Sequence, residues 1–410
     1  MGCDLKESKN ILILSFHFAP DAMVGAKRFS FLSKILQKNY SEMHVLTVKE
    51  KYITVKDHTL FSGGKIHRVA MCPLFPIEKN NIIAKTFNRL WGSGYLCLID
   101  PYSGWILPGL IKGLKIIKDK RINTVIATGP PFSTMVLGLL LKLTSNVSLI
   151  LDYRDPWTNI DLKFYRNTFV KIINDFLEKI TIRHASAIVF CTQMMKDNFI
   201  KDFGKFPKAA THVVTNGFYS AKNCQPLSLE ENKKNMVYAG AFYGERKISL
   251  LAEPLFELLK KGMISKNNFC FHIFGKLKDF DREVIKKYDL QEIIKEYPLV
   301  PHKQLIQLLK SADILVLIIS NKMKYSVSYK FYDYLSTGKP ILAIVPEDSA
   351  MEQMMHEIDC GRCAYINDKE SIFKHLKIML VENKEYTYLK ARRYNWEEIG
   401  KKYAEIIRNL

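Results

Sequence analysis

The chain has 410 residues, of which 48% are hydrophobic and 25% are charged, a composition that excludes an intrinsically disordered protein and predicts two globular domains. Lys and Arg number 61 and Asp and Glu 41, so the formal net charge is +20. Such a surface attracts polyanions of any kind, and charge by itself does not separate nucleic acid, anionic lipid and phosphorylated substrates.

The beginning of the chain and its cysteines favour a reduced, cytoplasmic protein. The first ten residues, MGCDLKESKN, are polar and lack the apolar core of a secretory signal. The 8 cysteines are scattered, mostly in apolar runs, which predicts free thiols. Cys360 and Cys363 form a CxxC without the second pair that a zinc site needs. The longest apolar region, 124–153, is interrupted by two prolines and a lysine, so no membrane-spanning helix is predicted.

In the first half of the chain, short apolar runs alternate with longer amphipathic stretches. The first run is ILILSF at 11–16, and the pattern over 26–37 predicts a helix after it. The later runs are EMHVLTV, TVIATG, SLILDY, AIVFCT and HVVTNG. They are rich in Ile, Val and Leu, which is typical of strands buried on both faces of a parallel sheet.

A second series of the same kind follows the polar stretch FYSAKNCQPLSLEENKK. Its runs are NMVYAG, FCFHIFG, EYPLV, DILVLII and PILAIV. Alternation of strands and helices predicts doubly wound α/β domains. We therefore predict an N-terminal Rossmann-like domain over 1–217, a linker over 218–234, a second Rossmann-like domain over 235–393 and a C-terminal helix over 394–410 that packs back toward the first domain.

Several common motifs are absent. The sequence has no GxGxxG after a strand and no GxxxxGK[ST], GxSxG or HExxH, which excludes the standard dinucleotide and P-loop sites and the commonest hydrolases and metalloproteases. Asp279 and Asp281 are spaced like a metal–diphosphate pair. However, they begin a helical stretch, where Asp is favoured as a cap. We predict no bound metal and no cofactor.

The most informative segment is YSVSYKFYDYLSTGKP at 325–340, which the apolar run ILAIV follows. Serines predict the start of a helix, and Gly338 and Pro340 predict its end. Lys330 and Asp333 are three residues apart and share one face of that helix. Helix amide groups and a lysine suit a diphosphate, and a carboxylate one turn on can accept both hydroxyls of a ribose. From these residues alone, a solvated helix with an ion pair fits equally well.

The string KFYDYLSTGKPILAI resembles the C-terminal signature of retaining GT-B glycosyltransferases of family four. The resemblance continues in order along nearly the whole chain. SFHFAPDAMVGAKR resembles the first strand and glycine loop of that family, and YAGAFYGERK resembles the first strand and basic loop of its second domain. TGPPFS and LDYRDPW resemble a bacterial polysaccharide-biosynthesis branch, and LLKSADILVLIIS and NWEEIGKKYAEII resemble the later strand and closing helix. The implied fold is GT-B, with two Rossmann-like domains facing each other across a cleft.

The resemblance implies a donor site in the second domain. Lys330, Arg246 and Lys247 would hold the donor diphosphate. Asp333 stands where the family usually has a ribose-binding Glu. A further Glu of the family pattern is missing, and its place falls near Tyr325, which leaves donor-sugar recognition open.

Further residues are placed around the substrates by the same resemblance. Gly275 and Val300 would border the base. Gly25 would let the backbone approach the sugar phosphate, although an ordinary strand-to-helix turn also explains a glycine there.

The end of the strand SLILDY carries the candidates of the first domain. Arg154 and Asp155 follow this strand at the edge where α/β sheets place ligands. We assign Arg154 and Lys27 to the acceptor side, and Asp155 to catalysis together with Lys330 and Arg246. A buried Arg–Asp pair that only fixes the loop is the alternative.

The implied activity is transfer of a hexose-type sugar from a nucleoside-diphosphate sugar to a glycan acceptor. The acceptor would be lipid-linked, in a bacterial surface-polysaccharide pathway such as lipopolysaccharide or capsule, and transfer would proceed with retention and without metal. Two alternatives stay open: a nucleoside-diphosphate-sugar epimerase, and a degenerate, non-catalytic GT-B binding subunit. No aromatic–basic RNA motif is present, so we expect no nucleic-acid partner.

The cations of the first domain also predict peripheral binding to the anionic inner face of the plasma membrane. KGLKIIKDKR at 112–121 and the stretch 163–183 mix Lys and Arg with apolar residues at near-helical spacing. We expect their apolar residues to face the sheet, and Trp91 and Trp105 to rest near the membrane interface.

Overall fold

The computed structural model describes residues 9–40, 42–72, 99–158, 168–204, 208–221, 224–382, 386 and 389–410. The chain forms two compact units. The first unit comprises residues 1–215 and 396–410, and the second comprises residues 216–395. The stretch 218–234, predicted as a linker, therefore lies within the second unit, and the C-terminal helix belongs to the first.

The described part of the first unit contains a seven-stranded parallel sheet in the order β3-β2-β1-β4-β5-β6-β7. Strands β1, β2 and β4 are buried along their whole length, as their apolar sequences require. The strands are β1 (Ile11–Leu14), β2 (Met43–Val48), β3 (Lys65–Val69), β4 (Thr124–Gly129), β5 (Ser148–Tyr153), β6 (Ala187–Phe190) and β7 (Ala210–Val213). The strand order reverses between β1 and β4, which is the topological switch point of the sheet.

Helices cover both faces of this sheet. They are α1 (Val24–Leu36), α2 (Ile106–Lys120), α3 (Ser133–Thr144), α4 (Thr168–His184), α5 (Gln193–Phe203) and the C-terminal helix α12 (Trp396–Arg408). Helix α2 packs against α3, and α3 packs against α4, whereas α1 packs against α12. Trp105 is fully buried in the core, so the expectation that it rests at a membrane interface is wrong. Trp91 lies outside the described residues.

A buried polar network attaches α12 and α1 to the sheet. Arg28 on α1 and Asp152 on β5 are at most 1% exposed and form an ion pair of 2.8 Å. Tyr403 on α12 and Thr128 on β4 each donate a hydrogen bond of 3.1 Å to the Asp152 carboxylate. Arg28 also donates to the backbone carbonyls of residues 214 and 215 at 2.8 Å. Burial of two charges is tolerated because both are hydrogen-bonded on several sides.

The second unit contains, in its described part, a six-stranded parallel sheet in the order β10-β9-β8-β11-β12-β13. Its strands are β8 (Lys234–Ala239), β9 (Phe269–Phe274), β10 (Ile294–Tyr297), β11 (Ile314–Ile318), β12 (Ile341–Val345) and β13 (Gly361–Tyr365). Its helices are α6 (Ser249–Lys260), α7 (Asp279–Lys287), α8 (His302–Ser311), α9 (Tyr329–Thr337), α10 (Ala350–Ile358) and α11 (Lys369–Val381). Two doubly wound parallel sheets confirm the fold class that the sequence predicts.

Among the described helices, none combines the length and the apolar character that crossing a bilayer requires.

Candidate functional site

The predicted donor residues gather in the second unit, where strands β8 and β9 end. Each strand is followed by a glycine. Gly240 has a φ of +124°, and a methyl group there would overlap the ammonium group of Lys330. A methyl group at Gly275 would overlap the carbonyl of Gly240. These glycines therefore let two backbone segments and one lysine pack closer than any side chain would allow. Sequence reasoning named Gly275 and missed Gly240, although the YAGAF segment placed a glycine directly after a strand.

Lys330 is the second residue of α9, and its amine is isolated from anionic partners. Its Nζ lies 4.8 Å from the centroid of the Tyr238 ring, and it has no hydrogen bond or ion pair with any described residue. Burial, and then the nearby charge of Arg246, lower the pKa of Lys330 to about 8, although the charge of Asp333 opposes the shift. Burial and a second nearby cation both disfavour the charged form of the amine, and an anionic ligand would stabilise that form.

Tyr334 fixes the position of Lys330. Its hydroxyl accepts a hydrogen bond from the backbone N–H of Ala239 and donates one to the carbonyl of Val316, both at 3.1 Å. Tyr334 is fully buried and lies one turn after Lys330 on α9. Helix α9 is therefore held against the end of β8 and the middle of β11, and the lysine is oriented before any ligand binds.

Arg246 brings a second cation to this site. The side chain is only 7% exposed. Its Nη1 donates to the Tyr243 hydroxyl at 2.8 Å, and Nη2 lies 2.7 Å from the sulfur of Met323. The Nε group is buried and has no hydrogen-bond partner among the described residues. None of these contacts neutralises the guanidinium, so its charge and a donor group remain available to an anion.

The loop that carries Arg246 is attached to the loop before α9. Glu245 accepts hydrogen bonds from the Ser320 hydroxyl at 2.7 Å and from the backbone N–H of Asn321 at 2.6 Å. Lys247 is exposed and forms no ion pair within the described part of the chain. Of the two basic residues predicted here, Arg246 is therefore held inside the site and Lys247 extends into solvent.

Asp333 has a partner that sequence reasoning did not assign. The Asp333 side chain is 12% exposed, and its Oδ1 lies 2.9 Å from Nε2 of His302, the first residue of α8. Val300, predicted to border the base, is half-buried two residues before this histidine. A histidine directly after a proline at a helix start was the available signal. It was missed because residues 302 and 333 are far apart in sequence.

In the first unit, Arg154 fixes the start of α1. Its Nη1 donates to the carbonyl of Gly25 at 2.5 Å, and its backbone N–H donates to the carbonyl of Gly129 at 2.9 Å. A Cβ atom at Gly25 would lie 2.5 Å from the same guanidinium. The space beside Gly25, expected to admit a sugar phosphate, therefore holds the Arg154 side chain. Asp155 and Lys27, the other first-unit candidates, are half-buried near the same edge.

A histidine–aspartate pair follows β1 at the switch point of the first sheet. His17 Nδ1 lies 2.7 Å from a carboxylate oxygen of Asp21, and the other oxygen accepts the backbone N–H of Met23 at 2.9 Å. The ring of Tyr102 packs edge-on against His17, with 5.5 Å between the ring centroids. Ligands of open α/β sheets bind at such a point. The sequence signal was a His and an Asp four residues apart directly after the first strand.

The motifs that could have suggested a metal have structural roles. Asp281 is buried and accepts the backbone N–H of Lys278 at 3.1 Å, whereas Asp279 pairs with the arginine three residues later. Cys360 and Cys363 are free thiols, and burial raises the pKa of Cys363 to about 12. Within the described ranges, no group of three or more His, Cys, Asp or Glu side chains is arranged to hold a metal ion.

Comparison with known families places a transferase signature on the second unit. Residues 221–396 match the family model described as "Glycosyl transferases group 1". This stretch contains Lys330, Arg246 and Asp333, and the match supports a GT-B glycosyltransferase. No curated protein sequence matches the chain.

Solved structures show the same fold along the whole chain. Sucrose-phosphate synthase from Thermosynechococcus elongatus is 13% identical, with a TM-score of 0.67 and 98% of both chains covered. HepE from Anabaena, in complex with UDP-glucose, is 13% identical, with a TM-score of 0.61 and coverage of 98% of this chain and 100% of HepE. A putative UDP-N-acetylglucosamine 2-epimerase from Listeria monocytogenes is 11% identical, with a TM-score of 0.56 and coverage of 98% and 96%. At these identities the likeness shows the fold.

Proposed function

We propose that the protein transfers a sugar from a nucleoside-diphosphate donor to a glycan acceptor, and that Lys330 and Arg246 bind the donor diphosphate. The observation that carries this proposal is the isolated amine of Lys330 beside the incompletely bonded guanidinium of Arg246. Both lie inside the stretch that matches the glycosyltransferase family model. Two fixed cations without carboxylate partners suit a ligand with at least two negative charges.

The proposed chemistry is stabilisation of the leaving diphosphate. When the glycosidic bond to the donor breaks, negative charge builds up on the diphosphate oxygens. Lys330 and Arg246 are already held in place by Tyr334 and by their loop, so they stabilise this charge without reorganising. We infer that these cations perform the role that a divalent metal has in other transferases.

Asp333 and His302 are proposed to bind the nucleoside. The Asp333 carboxylate, whose Oδ1 lies 2.9 Å from Nε2 of His302, is the group proposed to accept a ribose hydroxyl. Gly275 follows β9, and Val300 lies in the loop before α8. The family resemblance places the nucleotide base next to these two residues, and we propose that position for it.

The finer parts of the proposal rest on the sequence resemblance. They are a hexose donor, retention of stereochemistry, a lipid-linked acceptor of surface-polysaccharide biosynthesis, and action at the inner face of the plasma membrane. Arg154, Lys27 and Asp155 are proposed to lie on the acceptor side because they stand at the carboxyl edge of the first sheet.

A sugar-nucleotide epimerase is the second candidate. The structural likeness to the Listeria protein and the His17–Asp21 pair favour it, because epimerisation needs acid and base groups near the sugar. The family match over residues 221–396 favours transfer.

A sugar-nucleotide panel separates these activities. We expect release of a nucleoside diphosphate that requires a glycan acceptor and continues in excess EDTA, because Lys330 and Arg246 supply the positive charge. Free sugar nucleotide converted to an epimer without acceptor would identify the epimerase instead. Donor binding without either reaction would identify a non-catalytic binding subunit, and activity lost to EDTA and restored by a divalent ion would contradict the metal-free mechanism.

Replacing His302 with alanine is expected to raise the donor KM about tenfold while kcat stays within about threefold. A hydrogen bond to a charged group contributes about 1.5–3 kcal/mol, and its loss removes one restraint on the position of the Asp333 carboxylate. Steady-state kinetics with varied donor measures both constants. His356→Ala is the control, because that histidine is exposed and lies 3.7 Å from a glutamate of its own helix. An unchanged donor KM in His302→Ala would remove His302 from the site.

A further inference from the structure

Helices α2 and α4 of the first unit expose large apolar side chains. Leu107 and Ile111 on α2 are 58% and 65% exposed, and Ile172 and Phe176 on α4 are 59% and 62% exposed. Each pair is four residues apart and therefore lies on one face of its helix. The expectation that apolar residues of the stretch 163–183 face the sheet is wrong for Ile172 and Phe176, whereas Ile116 and Ile117 of the stretch 112–121 are buried in the core. A cluster of this kind on a protein surface marks an interaction site.

Basic residues without ion-pair partners lie on the same two helix faces, after the apolar residues. Lys115 and Lys118 follow Ile111 by four and seven residues, and Lys179 and Arg183 follow Phe176 by three and seven. All four cations are exposed, and none forms an ion pair with a described residue. Each helix thus presents an apolar half followed by a basic half.

The two helices point in the same direction. Helix α2 ends four residues before β4 begins, and α4 ends three residues before β6 begins. Both helices therefore finish at the amino edge of the parallel sheet, and both flank α3. The apolar halves consequently lie toward the carboxyl edge of the sheet, and the basic halves toward the amino edge.

We propose that this α2/α4 face, formed by the four apolar and four basic residues above, docks the protein onto an anionic lipid bilayer. The apolar side chains enter the interfacial region, and the lysines and the arginine contact anionic headgroups. The proposal deepens the membrane association in the proposed function and rests on it. A nucleic acid would bind the cations but would not bind the four exposed aliphatic and aromatic side chains, whereas a bilayer binds both kinds of residue.

Vesicle co-sedimentation tests the face directly. One variant removes apolar contacts, Ile172→Ser with Phe176→Ser, and one reverses charge, Lys179→Glu with Arg183→Glu. Helix α11 of the second unit supplies matched controls, Val381→Ser and Lys374→Glu with Lys377→Glu, because these residues are also exposed. We expect wild type to bind phosphatidylglycerol-containing vesicles and not pure phosphatidylcholine. Each α4 variant is expected to bind at least about tenfold more weakly, and the controls within about twofold of wild type.

Several results would overturn the docking face. They are α4 variants that bind like wild type, controls that lose as much binding, equal binding to neutral vesicles, and no binding of wild type to either vesicle. A wild-type dimer that Ile172→Ser with Phe176→Ser dissociates would assign the face to a second copy of the chain. Stabilisation by nucleoside diphosphates, measured without vesicles on the same variants, is expected to match wild type. If nucleoside diphosphates do not stabilise wild type, the donor site is wrong, but the proposal for the docking face is unaffected.

Discussion

Replacing Lys330 with alanine is expected to lower kcat/KM at least about 100-fold, because removing one preorganised electrostatic stabiliser costs about 2.7–4 kcal/mol of transition-state stabilisation. The protein should still fold. The amine forms no hydrogen bond or ion pair within the described residues, and it lies 4.8 Å from the centroid of the Tyr238 ring. Kinetics and thermal unfolding of the same preparation measure the two effects. Activity within about threefold of wild type, which is less than 1 kcal/mol, would contradict the leaving-group role.

The lowered pKa adds a pH signature to this prediction. The pKa of Lys330 is about 8 in the folded chain because of burial and the charge of Arg246. The ammonium that attracts the donor is lost as pH rises through this value, so donor affinity should fall above pH 8. In the unfolded chain, the Lys330 amine keeps its proton until about pH 10.4. Below pH 8 the folded protein must therefore bury a charged amine, which lowers the free energy of unfolding of wild type relative to Lys330→Met. As pH rises from about 8 to about 10.4, this penalty disappears and wild type gains stability relative to the variant.

Replacing Arg28 with alanine is expected to lower the free energy of unfolding of the first unit by about 3–5 kcal/mol, because the buried charge of Asp152 loses its ion partner. Asp152 would retain the hydroxyl hydrogen bonds of Tyr403 and Thr128, which do not neutralise it. Denaturant unfolding followed by far-UV circular dichroism provides the measurement.

The chain offers a matched control for this variant. Lys38, which follows α1, and Glu397, on α12, also form an ion pair within the first unit, at 3.2 Å, but both side chains are at least 50% exposed. Lys38→Ala should cost no more than about 1 kcal/mol, as exposed pairs do. Equal losses in Arg28→Ala and Lys38→Ala would show that burial does not decide the strength of the Arg28–Asp152 pair.

The fold was predictable because both sheets consist of short apolar runs separated by helices. A strand buried on both faces needs no tertiary information to be recognised, and β1, β4, β9, β11 and β12 all begin within their predicted runs. Residues 218–234 were harder to place. They have no periodic pattern, yet Leu227 and Leu229 pack against the core of the second unit.

The candidate site was only partly predictable. Lys330 and Asp333 are close in sequence, so helical spacing places them on one face. The Gly240–Lys330, His302–Asp333 and Arg28–Asp152 contacts join residues that are 31 to 124 positions apart. Spacing along one helix or strand carries no information about such pairs. The exposed apolar residues of α2 and α4 were missed for a related reason, since helical periodicity does not show which face meets the sheet.

The most direct test of the donor site is the thermal stability of wild type and Lys330→Met in the presence of nucleoside diphosphates and their sugars. A ligand at 100 times its Kd stabilises a protein by about 2.7 kcal/mol. We expect at least one nucleoside diphosphate to raise the melting temperature of wild type, and most of that shift to disappear in Lys330→Met. No stabilisation of wild type by any member of the panel, or an equal shift in the variant, would contradict the assignment of Lys330 and Arg246 to a sugar-nucleotide site.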